Sequence, residues 1–206
     1  MKGRVWLGVS VYGLMSALGL FWAVFRGRPN LTEHPDPWFT LEPTWAVGAS
    51  LLAGAVLALV TVRATRVLVG RAGWATRLHL ELRALLGPLP ASAIALLALS
   101  SGIGEEVFFR GAIQPSLGFW LTSIAFGLLH IGPWKQGWVW TLWATAMGFA
   151  LGAIHEATGS LAGPILAHVW INYENLVFIV THDPRARHGE SRGPSPPKLV
   201  GKSERR

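Results

Sequence analysis

Two adjacent glutamates, Glu105 and Glu106, stand in the run Gly104-Glu-Glu-Val-Phe-Phe-Arg110, inside one of the most hydrophobic stretches of the chain. A carboxylate at membrane depth costs roughly 2.5–3.5 kcal/mol on insertion scales, so it faces a bundle interior or a wet cavity and serves chemistry or transport there. His130 closes the run Phe126-Gly-Leu-Leu-His130, and His168 lies four residues before Asn172 in His168-Val-Trp-Ile-Asn172. Two carboxylates, two imidazoles and an amide on three apolar segments point to a buried acid–base site. Residues four apart share a helix face, so Glu106 can pair with Arg110, which makes burying both tolerable. Glu105 is turned roughly 100° away and lacks that partner. An unpaired buried carboxylate suits a general base near neutral pH. His168, Asn172 and Asn175 form a polar stripe among Ile165, Leu166, Val169 and Ile171, and in a membrane such a stripe turns inward.

Elimination narrows the chemistry. The chain has no cysteine, so thiolate nucleophiles, thiolate zinc sites and disulfides are excluded. No His-Glu-x-x-His helix is present. An aspartyl intramembrane protease needs two buried aspartates, and here Asp36 and Asp183 both fall in loops. No Gly-x-Ser setting surrounds Ser100 or Ser101. What remains is a water activated by carboxylate and imidazole, with or without a metal. A proton relay or transporter also uses membrane Glu and His, but two inverted halves with interrupted helices are not visible in the sequence.

The elements that must position these groups are membrane helices. Of 206 residues, 51% are hydrophobic and only 14% charged, a balance that fits a polytopic membrane protein. Eleven tryptophans suit the membrane interface. We read an all-α helix bundle of about six transmembrane segments: Val5–Phe25, Trp45–Val62, Pro88–Ile113 carrying the glutamates, Leu117–Ile131 after a break at Gln114-Pro115, Gly137–His155 and Leu161–Thr181. The tract Arg63–Arg83, with its five arginines, reads as a loop or a basic amphipathic helix on the membrane surface. The tail from Asp183 reads as disordered and basic. Three regions follow: 1–87 with two spans and the basic tract, 88–182 as a catalytic membrane core, and 183–206 as the tail.

With the N-terminus inside, all of the 18 basic residues except Arg26, Arg28 and Arg110 fall on the cytoplasmic side. That asymmetry predicts a multi-pass protein of the cell membrane with both termini cytoplasmic. It also accounts for the net charge of +7 without nucleic acid as a partner. Straight helices place His130 some ~8 Å deeper than Glu105 and His168. The fourth segment therefore starts below the surface, or a helix tilts or kinks, with Gly102 and Gly104 as kink candidates.

At these residues the chain resembles the CPBP family of intramembrane proteases. That family includes the type II CAAX prenyl endopeptidases, the Abi and bacteriocin-processing proteins and a myxosortase-like group. Its pattern of Glu-Glu-x-x-x-Arg, Phe-x-x-x-His and His-x-x-x-Asn is matched by Glu105-Glu106…Arg110, Phe126…His130 and His168…Asn172, over about Ala91–Asn175. The resemblance implies a membrane-embedded endopeptidase acting on a membrane-associated protein or peptide. In it Glu105, helped by His130, activates a water. His168 and Asn172 stabilise the oxyanion, and Glu106 with Arg110 supports the helix. The family has also been described as metal-dependent, which would make Glu105, His130 and His168 candidate zinc ligands. The CAAX-type and sorting-signal substrates both stay open, as does the oligomeric state. So do a non-catalytic immunity or adaptor role on the same scaffold and a transporter.

Overall fold

A backbone crossing lipid has to satisfy its polar groups internally, and in a chain of apolar runs helices do this. The computed structural model describes residues 2–132 and 135–185. It contains α1 (Lys2–Phe25), α2 (Pro43–Arg71), α3 (Gly73–Leu86), α4 (Ala91–Glu106), a π-helical segment (Val107–Ile113), α5 (Gln114–Leu117), α6 (Phe119–Leu128), α7 (Gly137–Thr158) and α8 (Ala162–Thr181). Among the described residues the only β feature is one isolated bridge, Glu33 to Ser160. The fold is the all-α membrane bundle that the sequence predicts.

Four helical stretches are long and apolar enough to cross a bilayer: Gly3–Phe25, Pro43–Arg71, Gly137–Thr158, and the rod Ala91–Leu117 made of α4, the π segment and α5. The 20 residues of α8 give about 30 Å of helix, but its polar stripe lowers its apolarity. The fourth expected segment departs most. α6 has 10 residues, about 15 Å, half of a crossing. Gly118 at φ 82° starts it late, and it ends before the turn that carries His130.

Other boundaries shift for local reasons. α2 runs on past Val62 to Arg71, because nothing in Arg63–Gly70 breaks a helix, so part of the basic tract extends a span. The remainder, α3, is the amphipathic alternative. Gln114-Pro115 is no break: Pro115 sits in the first turn of α5, where its missing N–H costs little. Gly102 and Gly104 lie inside the continuous helix α4. They are contact points, since a Cβ on Gly102 would strike the Val169 backbone and one on Gly104 the Tyr12 backbone. The expected disordered tail lies, from 186 onward, outside the described residues.

Small residues set the helix spacing, as in membrane bundles generally. α2 and α8 touch backbone to backbone at Gly54 and Gly163. Ser50 Oγ pins that crossing, donating to Ser160 O at 2.9 Å and accepting from Gly163 N at 2.9 Å. α6 packs antiparallel on α7, with Gly148 against Ser123 and Gly127 against Thr145. Phe119 lies level with Gly152 rather than with the end of α7. α6 thus begins well short of the end of α7.

Candidate active site

α4 ends on Glu105 and Glu106, and both are buried. Glu106 Oε1 accepts from Arg110 Nη1 at 2.8 Å, the expected pair, and also from His168 Nδ1 at 2.6 Å. The second contact ties α8 to α4. Arg110 donates Nη2 to Gly148 O at 3.0 Å and lies 4.4 Å from the Phe126 ring centre, so α7 and α6 hold its other faces. The π segment begins at the residue after Glu106. Such widened turns are frequent at functional sites.

His130 Nδ1 is 2.7 Å from Phe126 O. A carbonyl only accepts, so Nδ1 carries the hydrogen and Nε2 offers a lone pair in the neutral ring. That Nε2 lies 3.7 Å from Glu105 Oε2. His168 Nε2 approaches the same oxygen at 3.8 Å. Glu105 Oε2 itself has no hydrogen-bond partner among the described residues. One buried carboxylate oxygen thus stands between two imidazole nitrogens, each just beyond direct hydrogen-bonding distance. Asn172 completes the group: one Nδ2 hydrogen goes to Ser101 Oγ at 2.9 Å, and its second is left for another acceptor.

The structure brings Glu105, Glu106, Arg110, His130, His168 and Asn172 into one cluster. Asn175 shares the stripe but is engaged elsewhere, accepting from Arg66 Nη1 at 3.0 Å. A cavity of about 740 Å³ opens from Glu105, His130, His168 and Asn172 toward α3, lined there by Leu78 and Leu82. Residues 87–173, which hold all three motifs, match the family described as Type II CAAX prenyl endopeptidase, Rce1-like.

Outside the Rce1-like region, α1, α2 and α3 carry no family signature, yet α1 and α3 both line the cavity. A curated relative, the uncharacterized protein YpbD of Bacillus subtilis (strain 168), is 34% identical over 111 residues. The match covers 52% of this chain and 58% of YpbD, so the chain spans less than two thirds of that relative. No solved structure matches significantly. The four apolar helices among the described residues, with that match, mark an integral membrane protein.

Sequence reasoning did not single out Tyr12, which comes from α1 to line the cavity beside Glu105. It gave Ser101 no role, although the hydroxyl orients Asn172. It also missed a second polar group at the other end of α7, where His34, Gln114, His155 and Glu156 meet. No local motif marks these, because they come from three distant parts of the chain. At the opposite end, α3 clasps the end of α8: Arg83 Nη1 donates to Ile179 O at 2.7 Å and to Val180 O, and His79 Nε2 contacts His182 O at 2.9 Å. Burial pushes the His79 imidazole below its ordinary pKa.

Proposed function

We propose that the protein is an intramembrane endopeptidase that hydrolyses a peptide bond of a membrane-associated protein or peptide. The observation that carries this is Glu105 Oε2 facing the Nε2 atoms of His130 and His168. A water between Glu105 Oε2 and His130 Nε2 gives one hydrogen to each, which leaves its oxygen lone pairs free for a carbonyl carbon. Glu105 takes the proton as the C–O bond forms, and later returns it to the leaving amine as the C–N bond breaks.

The tetrahedral oxyanion needs donors. Asn172 offers its second Nδ2–H, and His168, when doubly protonated against Glu106, offers Nε2–H. Two carboxylates against the single Arg110 guanidinium leave one negative charge, which a doubly protonated His168 balances inside the membrane. Glu106 and Arg110 act as support, with Glu106 also fixing the His168 ring as a buried carboxylate does for a catalytic histidine.

Zinc favours the donor types of Glu105, His130 and His168. As these side chains stand, no three His, Asp or Glu groups among the described residues are in ligating geometry, so no step is routed through a metal. The cavity supports a class of substrate. Its lining is mostly apolar and reaches Trp138 and Trp143, which suits a lipid-like or transmembrane portion of the substrate beside the cleaved bond. CAAX-type processing and cleavage of a C-terminal sorting signal both fit. We place the termini in the cytoplasm of a cell-membrane protein, on the asymmetry of the basic residues.

The test is a comparison of protein termini in membranes of cells carrying wild type or Glu105→Ala at equal expression. Loss of specific termini in the variant supports a protease and names its substrate. Unchanged termini with a retained phenotype would instead favour a non-catalytic adaptor or immunity role.

A further inference from the structure

A hydrolase inside a membrane consumes one water per turnover, and the cavity beside Glu105 is also the space a substrate fills. Water then has to arrive from another side. A polar ladder leaves the catalytic cluster on the face away from the cavity. Glu106, Arg110 and Gln114 recur every four residues along α4, the π segment and α5, opposite Gly148, Gly152 and Glu156 at the same spacing on α7. Arg110 Nη2 reaches Gly148 O at 3.0 Å, and Gln114 Nε2 reaches Gly152 O at 3.1 Å and Glu156 Oε1 at 2.9 Å. His34 Nε2, from the loop between α1 and α2, lies 3.5 Å from Glu156 Oε1, and its ring meets His155 edge-on at 5.1 Å between centres.

Along this ladder Glu106 Oε2, Arg110 Nε and Gln114 Oε1 are buried without a partner among the described residues, and the two His155 ring nitrogens have at most the nearby Ser160 backbone. His155 is 0% exposed. Buried polar atoms of this kind are ordinarily held by internal water. The ladder ends close beneath the surface: Glu156 is 7% exposed, and the 26–42 loop covers it. The loop closes this end through Trp38 N to Glu156 O at 2.6 Å and His34 N to Gly159 O at 2.7 Å.

We propose that Gln114, His155 and Glu156, with His34 at the mouth, line a route that carries water from the 26–42 loop to the Glu105–His168 centre while substrate fills the cavity. The inference rests on the hydrolytic reading of Glu105. His155 and Gln114 are positioning residues in it: they hold water in transit and touch no reacting atom.

The chain has no cysteine, so His155→Cys carries a single thiol. Purified full-length protein in nanodiscs is exposed to silver ion, and the remaining thiol is counted with maleimide after unfolding. Ala58→Cys is the control, since Ala58 is 0% exposed, packs in an apolar cluster with Leu151 and Ala167, and does not line the cavity. Thiolate forms where water reaches, so His155→Cys should be protected at least about tenfold faster than the control. Adding Gln114→Leu should slow it. Equal rates for the two cysteines would overturn the route.

The second readout uses the substrate found by the termini comparison. His155→Phe should lower kcat about tenfold with KM unchanged, and His155→Gln, which keeps polar atoms there, should recover most of it. A reachable thiol at 155 with normal turnover in His155→Phe would also overturn the proposal. Glu105→Gln separates the two readings, because it stops hydrolysis while silver access at 155 is unaffected. If Glu105→Gln hydrolyses normally, the catalytic reading fails and silver access still reports on the route.

Discussion

Glu106 joins two jobs that variants can separate. Its Oε1 holds Arg110 at 2.8 Å and His168 at 2.6 Å, and the residue is 0% exposed. Glu106→Gln removes the charge and leaves the Arg110 guanidinium, 1% exposed, without a counter-ion beside it. Breaking a buried pair in this way costs about 3–5 kcal/mol, a large share of the roughly 5–15 kcal/mol that folded proteins commonly have. Folded yield should drop, and unfolding in mixed micelles should shift to milder denaturant. The double variant Glu106→Met, Arg110→Met removes both charges and should recover most of the lost stability, since apolar replacement of a whole buried pair is often neutral or better. It should stay inactive, because His168 has then lost the carboxylate that orients it. Hydrolysis in reconstituted vesicles, normalised to folded protein, reads the second effect. Restored activity in the double variant would refute the orienting role. Wild-type stability of Glu106→Gln would refute the ion-pair argument.

Glu105→Gln should lower hydrolysis by about 10²–10⁴ without changing folded yield, since Glu105 Oε2 has no partner among the described residues to lose; turnover near wild type would remove Glu105 as the base. Asn172→Ala should cost about 10²–10³ in kcat, and Ser101→Ala less, as it only frees the Asn172 amide; a larger loss in Ser101→Ala would reverse that assignment. Gly163→Val drives a side chain into the Ser50 backbone and should destabilise by about 1–3 kcal/mol or more, read as lower folded yield. His79 titrates lower in the folded protein than in the unfolded chain. Its stabilisation is therefore complete above the unfolded value near 6.5 and is lost as pH falls below it, because the unfolded chain then binds the proton first. Unfolding scans from pH 7.5 to 5 should show this loss, and His79→Phe should flatten it; an unchanged slope would place the titration elsewhere.

Much of the site was legible because membranes make polar residues conspicuous. Glu105, Glu106, His130, His168 and Asn172 stood out against apolar neighbours, and spacing by four correctly paired Glu106 with Arg110. The contact between Glu106 and His168 was not legible, since it depends on how α4 and α8 cross at Gly102 and Val169. The π segment left no trace either: Val107-Phe-Phe-Arg-Gly-Ala-Ile reads as ordinary helix, and we have no physical account of why it widens there. Hydropathy marks how far a run stays apolar, whereas helices end where hydrogen bonding ends. That difference made α2 longer than its apolar window and α6 shorter. Tyr12, Gln114 and His155 were hidden because one polar residue on an apolar helix more often packs than reacts.

The brevity of α6 also acts on the lipid around it. Trp120, Leu121, Ile124 and Leu128 point outward and are exposed on its flank. Their apolar strip is about 15 Å tall, set against a hydrocarbon layer of about 30 Å. Its upper end stops level with Gly152, about 9 Å of helix below the end of α7. Acyl chains meeting that edge would have to shorten or tilt, which would make the leaflet dip beside the bundle. The protein would thus shape a local depression in its own solvent. On the hydrolytic reading, a substrate approaching there would be carried toward the depth of the glutamates by the lipid surface itself, with less of its backbone to drag through hydrocarbon.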